Sequence, residues 1–149
     1  MGRPTYETAG DLADEESVAR ELAKAWASDP FKLPKFYKCD WAFSREGTVR
    51  AFIEIKCRKN LPNKYPTVII SADKWAYLRQ LDEALEIPAL LVFKFSDGSV
   101  FYIRPASTDR GAVIVGGRHD RGDPEDAEPV VHIPIEHLSL ARGPKPESP

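Results

Sequence analysis

Apolar residues recur along this chain at two different spacings, and the change from one to the other marks its elements. In DLADEESVARELAKAW, Val18, Leu22 and Trp26 fall at helical spacing behind acids suited to a helix N-terminus, which predicts a first helix. Pro30 and Pro34 in SDPFKLPK end it. Two apolar runs follow, Phe36 to Phe43 and Val49 to Cys57, joined by a polar turn that ends in Gly47, and they read as a hairpin. KNLPNKYP is a loop, TVIIS a short strand and ADKWAYLRQLDEALE a second helix. Ser71 is placed to cap that helix, with Trp75, Leu78, Leu81 and Leu85 as its buried stripe. PALLVFKF and SVFYIRP form another hairpin about Ser96-Asp97-Gly98. Two further strands, GAVIVGG and EPVVHIPI, flank the charged loop RHDRGDPEDAE, and RGPKPESP is a proline-rich tail not expected to order by itself.

This order of elements describes a mixed α/β protein, a central sheet with helices packed on it and a short β-rich C-terminal extension. One domain over residues 1–142 accounts for it, with a core at about 11–105 and a flexible tail at 143–149. A chain of 149 residues, 42% hydrophobic and 30% charged, is large enough to bury a core. Its longest apolar runs, such as Ile87 to Phe93, are too short to cross a bilayer, so no membrane is expected. The acidic start MGRPTYETAGDLADEE lacks the plan of a secretory signal, and two cysteines without a framework suit a reducing compartment. The expected location is cytoplasmic. A formal net charge of −2 supplies no global attraction for a polyanion, so binding one requires a local basic patch or a bridging metal.

The first hairpin carries Asp40, Glu54 and Lys56 inside its apolar runs. Side chains alternate along a strand, so Glu54 and Lys56 share a face, while Ile53, Ile55 and Cys57 point the other way into the core. A three-residue Arg45-Glu46-Gly47 loop, with Gly47 left-handed, pairs Ser44 with Thr48 and brings Asp40 out on the same face as Glu54 and Lys56. Cys39 falls on the opposite face, with Trp41 and Phe43. Two converging carboxylates repel unless a cation lies between them. Hard oxygen donors with room for water describe a Mg2+ site, which can activate water against a phosphodiester. Lys56 is placed to orient that water or to stabilise the developing charge.

Glu-x-Lys alone is a weak signal. An acid opening one strand, a polar turn, and Glu54-Ile55-Lys56 inside an apolar second strand, between two helices, is a stronger one. Over roughly residues 11–95 the chain resembles the PD-(D/E)xK nuclease superfamily, especially its resolvase-like and phage-type branches, where a lysine opens the second helix as Lys74 does here. The resemblance implies a restriction-endonuclease-like fold and metal-dependent cleavage of DNA, with Mg2+ as cofactor and Mn2+ as a substitute. Carried over by residue, Asp40, Glu54 and the carbonyl of Ile55 hold the metal and Lys56 serves catalysis. Cys39 stands where the family name has proline. Glu15 is the candidate for a further acid on the first helix, with Glu16 as the alternative. Arg58, Lys59 and Lys74 are the candidate DNA contacts, and Lys38 and Lys64 lie near them in sequence. DNA is the implied partner, a monomer and a homodimer or larger complex are both open, and a host cytoplasm is the place of action if the chain is phage-encoded.

Each of these residues also has a structural reading. Asp40, Glu54 and Lys56 also read as a cross-strand salt-bridge cluster on a solvated face, and Glu15 and Glu16 as acids favoured by a helix N-terminus. A catalytically silent nucleic-acid-binding or assembly subunit on the same fold is the rival function. His119, His132 and His137 lack metal-ligand spacing, and the Arg121-Gly122-Asp123 triplet carries no function in a cytosolic chain. Arg104, Arg110 and Arg118 offer a second basic path for DNA.

Overall fold

Two parallel neighbours buried on both faces organise the protein. The structure, a computed structural model, describes residues 9–34, 37–117 and 128–145. Its chain order is α1 (Ala9–Ala25), β1 (Asp29–Lys32), β2 (Trp41–Arg45), β3 (Thr48–Cys57), β4 (Thr67–Ser71), α2 (Ala72–Leu85), β5 (Ala89–Lys94), β6 (Val100–Ile103), β7 (Ile114–Gly117), β8 (Pro129–Pro134) and β9 (Ser139–Arg142). Six strands form the main sheet in the order β1-β2-β3-β5-β6-β9, and β4-β8-β7 form a second, smaller sheet. Among the described residues only β3 and β5 run parallel; their connection passes through β4 and α2. Strands in such a position read as apolar on both faces, as ALLVF does here, whereas β3 interrupts the pattern on one face with Glu54 and Lys56.

The two faces have separate cores. Ile53, Ile55 and Val92 pack with Trp41 and Phe43 against Val18, Ala19, Leu22 and Ala23 of α1. On the reverse side Phe52, Ala89, Leu91 and Phe93 pack against Trp75 and Leu78 of α2, and the small sheet adds Val68, Ile70, Val131 and Ile133. Glu54 pairs with Leu91 and Lys56 with Phe93, so both charged residues lie on the α2 side. The charged face of the hairpin is therefore not the solvent face: it carries its own core.

The turn also departs from the expected three-residue loop. Arg45 pairs with Thr48, leaving Glu46 and Gly47 as a two-residue turn with φ of 53° and 78°. Both values lie in the left-handed region that matches the strand twist, natural for Gly47 and strained for Glu46. The register then slips by one, from Ser44 opposite Val49 to Phe43 opposite Ala51, which makes Arg50 the extra residue of a bulge. Without it Asp40 would extend the ladder opposite Ile53 and face α1. With it, Trp41 is opposite Ile53 and Asp40 falls on the side of Glu54.

Ser71 caps α2 as expected, its hydroxyl accepting from the Lys74 amide at 3.2 Å. The buried stripe differs: Leu85 is exposed, and Asp82 takes the inward position. Its carboxylate accepts from the Ala89 amide at 3.0 Å and, bidentately, from Arg104 at 2.7 and 2.9 Å. Arg104 is thus committed to holding β6 on α2. Two strands come as additions. β1 pairs along β2 despite Pro30, which an edge strand tolerates, and β9 pairs along β6. The expected tail is anchored as far as Lys145, whose amide donates to the Asp97 carbonyl at 2.9 Å and whose ammonium meets Glu21 at 3.1 Å. Phe36, Arg118, His119 and the Arg121-Gly122-Asp123 triplet lie outside the described residues, as does the side chain of Arg110. Among the described residues no helix is long and apolar enough to cross a membrane.

Asp82→Ala should lower stability by about 2 kcal/mol, towards the low end for a buried hydrogen-bonded carboxylate because Arg104 is 42% exposed. The Arg104 hydrogen bonds hold the Asp82 carboxyl below its usual range, so this contribution is present above that range and is lost as pH falls through the lower folded value. Urea unfolding of both proteins at neutral and acid pH measures it; a neutral-pH difference under about 0.5 kcal/mol would remove this pair as a tie.

Candidate active site

At the end of the sheet where β3 finishes and β2 begins, Glu54 lies in the apolar face formed with Leu91 and Phe93, 1% exposed. Its two oxygens are shared between lysines from different elements. Lys56 of β3 approaches Oε2 at 3.4 Å, and Lys74 from the first turn of α2 approaches Oε1 at 3.3 Å. The Lys74 ammonium also donates to the Lys38 carbonyl, which ties α2 to the segment leading into β2. Asp40 closes the other side, with Lys32 at 3.7 Å.

Burial and the facing charge of Asp40 push the Glu54 carboxyl up from 4.5 to about 7, against the opposing pull of Lys56 and Lys74. Two lysines therefore do not fully offset one desolvated carboxylate beside another. Cys39 lies under the same cluster, packed with the α2-side core rather than on the expected opposite face, because β2 starts only at Trp41 and strand alternation does not reach it. Its thiol donates to the Ile53 carbonyl at 3.2 Å, and burial with the Glu54 charge pushes its pKa to about 12, so it stays neutral.

The main chain adds a further donor. The Phe52 and Arg58 amides bond to carbonyls on the β5 side of β3, which puts Ile53 and Ile55 on the β2 side. Since β2 begins opposite Ile53, the Ile55 carbonyl points past its first residue, towards the side from which Asp40 comes. Two carboxylates and a carbonyl form a hard, anionic oxygen set, and the residual repulsion at Glu54 is what a divalent cation would relieve. The residues fit such an ion.

The other candidates are distributed differently. On α1 Glu15 is buried, while Glu16 is exposed and bound to Arg20 at 2.8 Å, so Glu15 is the inward member of the two. Among the described residues no group of three His, Cys, Asp or Glu side chains converges as a metal would need, so Glu15 is not gathered with Asp40 and Glu54. Arg58 donates to the Ile69 carbonyl at 2.8 Å and stacks 5.5 Å from Phe93, which makes it a tie between β3 and β4. Lys59 is exposed. Lys74, expected as a DNA contact, is directed at Glu54 instead; its position one turn into a helix capped beside the sheet was the signal available for that.

The sequence matches, over residues 1–141, the family described as "Phage putative PDDEXK endonuclease". The chain belongs to this family. Its fold is similar to that of Hjc, a Holliday junction resolvase from the archaeal hyperthermophile Archaeoglobus fulgidus, with a TM-score of 0.53 and 21% identity over 66% of this chain and 75% of that one. No curated protein matches the sequence. The mixed six-stranded sheet, two helices and small second sheet are thus a resolvase-like and restriction-endonuclease-like arrangement, and the chain is a PDDEXK-type nuclease by family.

For this family member in chelator, the raised Glu54 carboxyl makes the fold bind a proton that the unfolded chain releases. Stability should then be fullest below the unfolded value of 4.5 and decline as pH rises through about 7. The change corresponds to roughly 3 kcal/mol in order of magnitude. Glu54→Gln should remove that part of the decline, so at about pH 8.5 the metal-free variant should melt above the parent. A variant that melts lower there would mean that Lys56 and Lys74 outweigh the burial.

Proposed function

We propose that this protein is a metal-dependent deoxyribonuclease that hydrolyses phosphodiester bonds internally in DNA, with Mg2+ as cofactor and Mn2+ able to replace it. The observation that carries the reading is the meeting of Asp40 with a buried Glu54 that two lysines leave under-compensated. Asp40, Glu54 and the Ile55 carbonyl hold the ion. When bound, the ion supplies Lewis acidity towards the phosphate and lowers the pKa of water.

The remaining work falls to this chain's own groups. Lys56, on the strand with Glu54 and 35% exposed, reaches out of the site to orient the attacking water and to stabilise the charge that develops on the phosphate. Lys74 favours the ionised form of Glu54 and fixes its position, and holds the segment carrying Asp40 through the Lys38 carbonyl. Apolar neighbours Leu91 and Phe93 keep water from the rear of Glu54, which strengthens each of these interactions. Glu15, on the α1 side of the sheet and not gathered with Asp40 and Glu54, takes no part in this reading. Lys59 contacts phosphate from the loop after β3, whereas Arg58 supports the site from behind. The protein acts in a cytoplasm, that of a host if phage-encoded, on DNA and as a homodimer or larger complex. The rival reading, a silent binding subunit, gains if no DNA is cut.

Cleavage of labelled linear, circular and branched DNA with Mg2+ or Mn2+, and its loss in chelator, is the direct test. Glu54→Gln should lose metal binding, read by calorimetry, together with activity. Lys56→Ala should keep metal affinity within about threefold and lose turnover by roughly 100-fold or more, as expected for a group acting on transition-state charge. Equal loss of metal binding in the two would make Lys56 part of the ion's support rather than a catalytic residue.

A further inference from the structure

Close in sequence to this site is a large aromatic side chain that the fold leaves half exposed. Tyr37 is 51% exposed. Two main-chain hydrogen bonds tie its surroundings: the Leu33 amide donates to the Asp40 carbonyl at 2.8 Å, and the Tyr37 amide donates to the Pro34 carbonyl at 3.0 Å. The next residues are pinned in turn. The Lys38 carbonyl accepts from Lys74, the Lys38 ammonium lies 5.9 Å over the Tyr77 ring, and Cys39 is buried with its thiol on the Ile53 carbonyl. Asp40 is three residues on from Tyr37 in the chain, which limits their α-carbons to about 11 Å. A tyrosine placed this way, with the exposed Lys38 next to it in the chain, combines an aromatic face with positive charge next to the cleavage site. Single-stranded nucleic acid is bound by this combination, because every base offers a π-face and every phosphate a charge.

We propose that Tyr37 is a stacking platform for an unpaired base beside the cleaved phosphate, and that the substrate is DNA with a single-stranded segment there. The proposal rests on the nuclease reading above. In intact duplex the base is already stacked and paired, and extracting it costs more than one stacking contact returns, so the platform favours single strands, overhangs and frayed ends. Lys38, exposed beside it, orients the backbone, while Tyr37 selects by stacking without reading sequence.

Oligodeoxynucleotides carrying 2-aminopurine, as a single strand, within a duplex and in an overhang, test this by binding and fluorescence. The Lys56→Ala variant with Mg2+ serves as the uncut background. Unpaired probes should bind at least about tenfold more tightly than duplex and show a fluorescence change. Adding Tyr37→Ala should weaken that binding about 5- to 100-fold and abolish the change, while Tyr37→Phe, which keeps the ring, should retain both within about twofold. Unchanged binding in Tyr37→Ala, or an equal loss for intact duplex, would overturn the platform. The two readings fail separately. If the unaltered protein cuts DNA and Tyr37→Ala cuts single strands equally well, the nuclease reading stands and the platform falls. If nothing is cut but the Tyr37-dependent change persists, the platform stands on a silent binder.

Discussion

The arrangement depends on keeping one ionisable carboxylate inside an apolar sheet face. Glu54 has Leu91 and Phe93 beside it and α2 above it, an environment that disfavours its charge. Removing a carboxylate from water without compensation costs several kcal/mol, so the surroundings must supply cations and hold them. Lys56 comes from the same strand and Lys74 from the helix that covers the face. The helix that buries Glu54 thereby also brings the charge that makes its burial tolerable. That coupling explains why Ser71 caps α2 where it does: the cap starts the helix one turn before Lys74 and directs the lysine over the sheet.

Asp40 reaches this cluster through backbone geometry rather than through its own contacts. A two-residue turn alone would give the hairpin odd parity and turn Asp40 towards α1. The bulge at Arg50 restores even parity and adds local twist as β2 and β3 leave the turn. The positive φ of Glu46 is a strain retained at the turn, about 1 kcal/mol for a residue with a side chain there, and it is offset by the ladder that the turn closes. Position on the sheet, turn type and bulge thus act together on one carboxylate about a dozen residues away from its partner.

The helices, the second hairpin and the main apolar strands were readable because their periodicity is complete within each segment. Asp40, Glu54 and Lys56 stood out as charges in apolar runs, and the structure does bring them to one side of the sheet. What local pattern could not carry was anything decided across segments. β1 contains Pro30 and alternates poorly, so only its pairing with β2 makes it a strand. Cys39 escapes alternation because its strand has not yet begun. Arg104 and Arg58 look like surface bases, yet each satisfies a partner distant in sequence, Asp82 in one case and the Ile69 carbonyl in the other. Leu85 and Asp82 exchange places because a bidentate partner for the acid comes from β6, which no helical period reveals.

Net charge is a poor guide to the field at such a site. The chain as a whole carries −2, and several of its acids lie on α1, where Glu16 and Glu21 are engaged with Arg20, Arg142 and Lys145. At the end of β3 the balance reverses: Lys32, Lys38, Lys56 and Lys74 surround Asp40 and Glu54, and Lys59 and Lys64 follow in the next loop. Exposed charges more than about a Debye length away, roughly 8 to 10 Å in physiological salt, are screened, so a phosphate approaching this end responds chiefly to the local lysines. A polyanion can therefore be drawn to one end of an acidic protein. The same short range means that the attraction fades quickly away from the site, which leaves orientation to the groups at its edge.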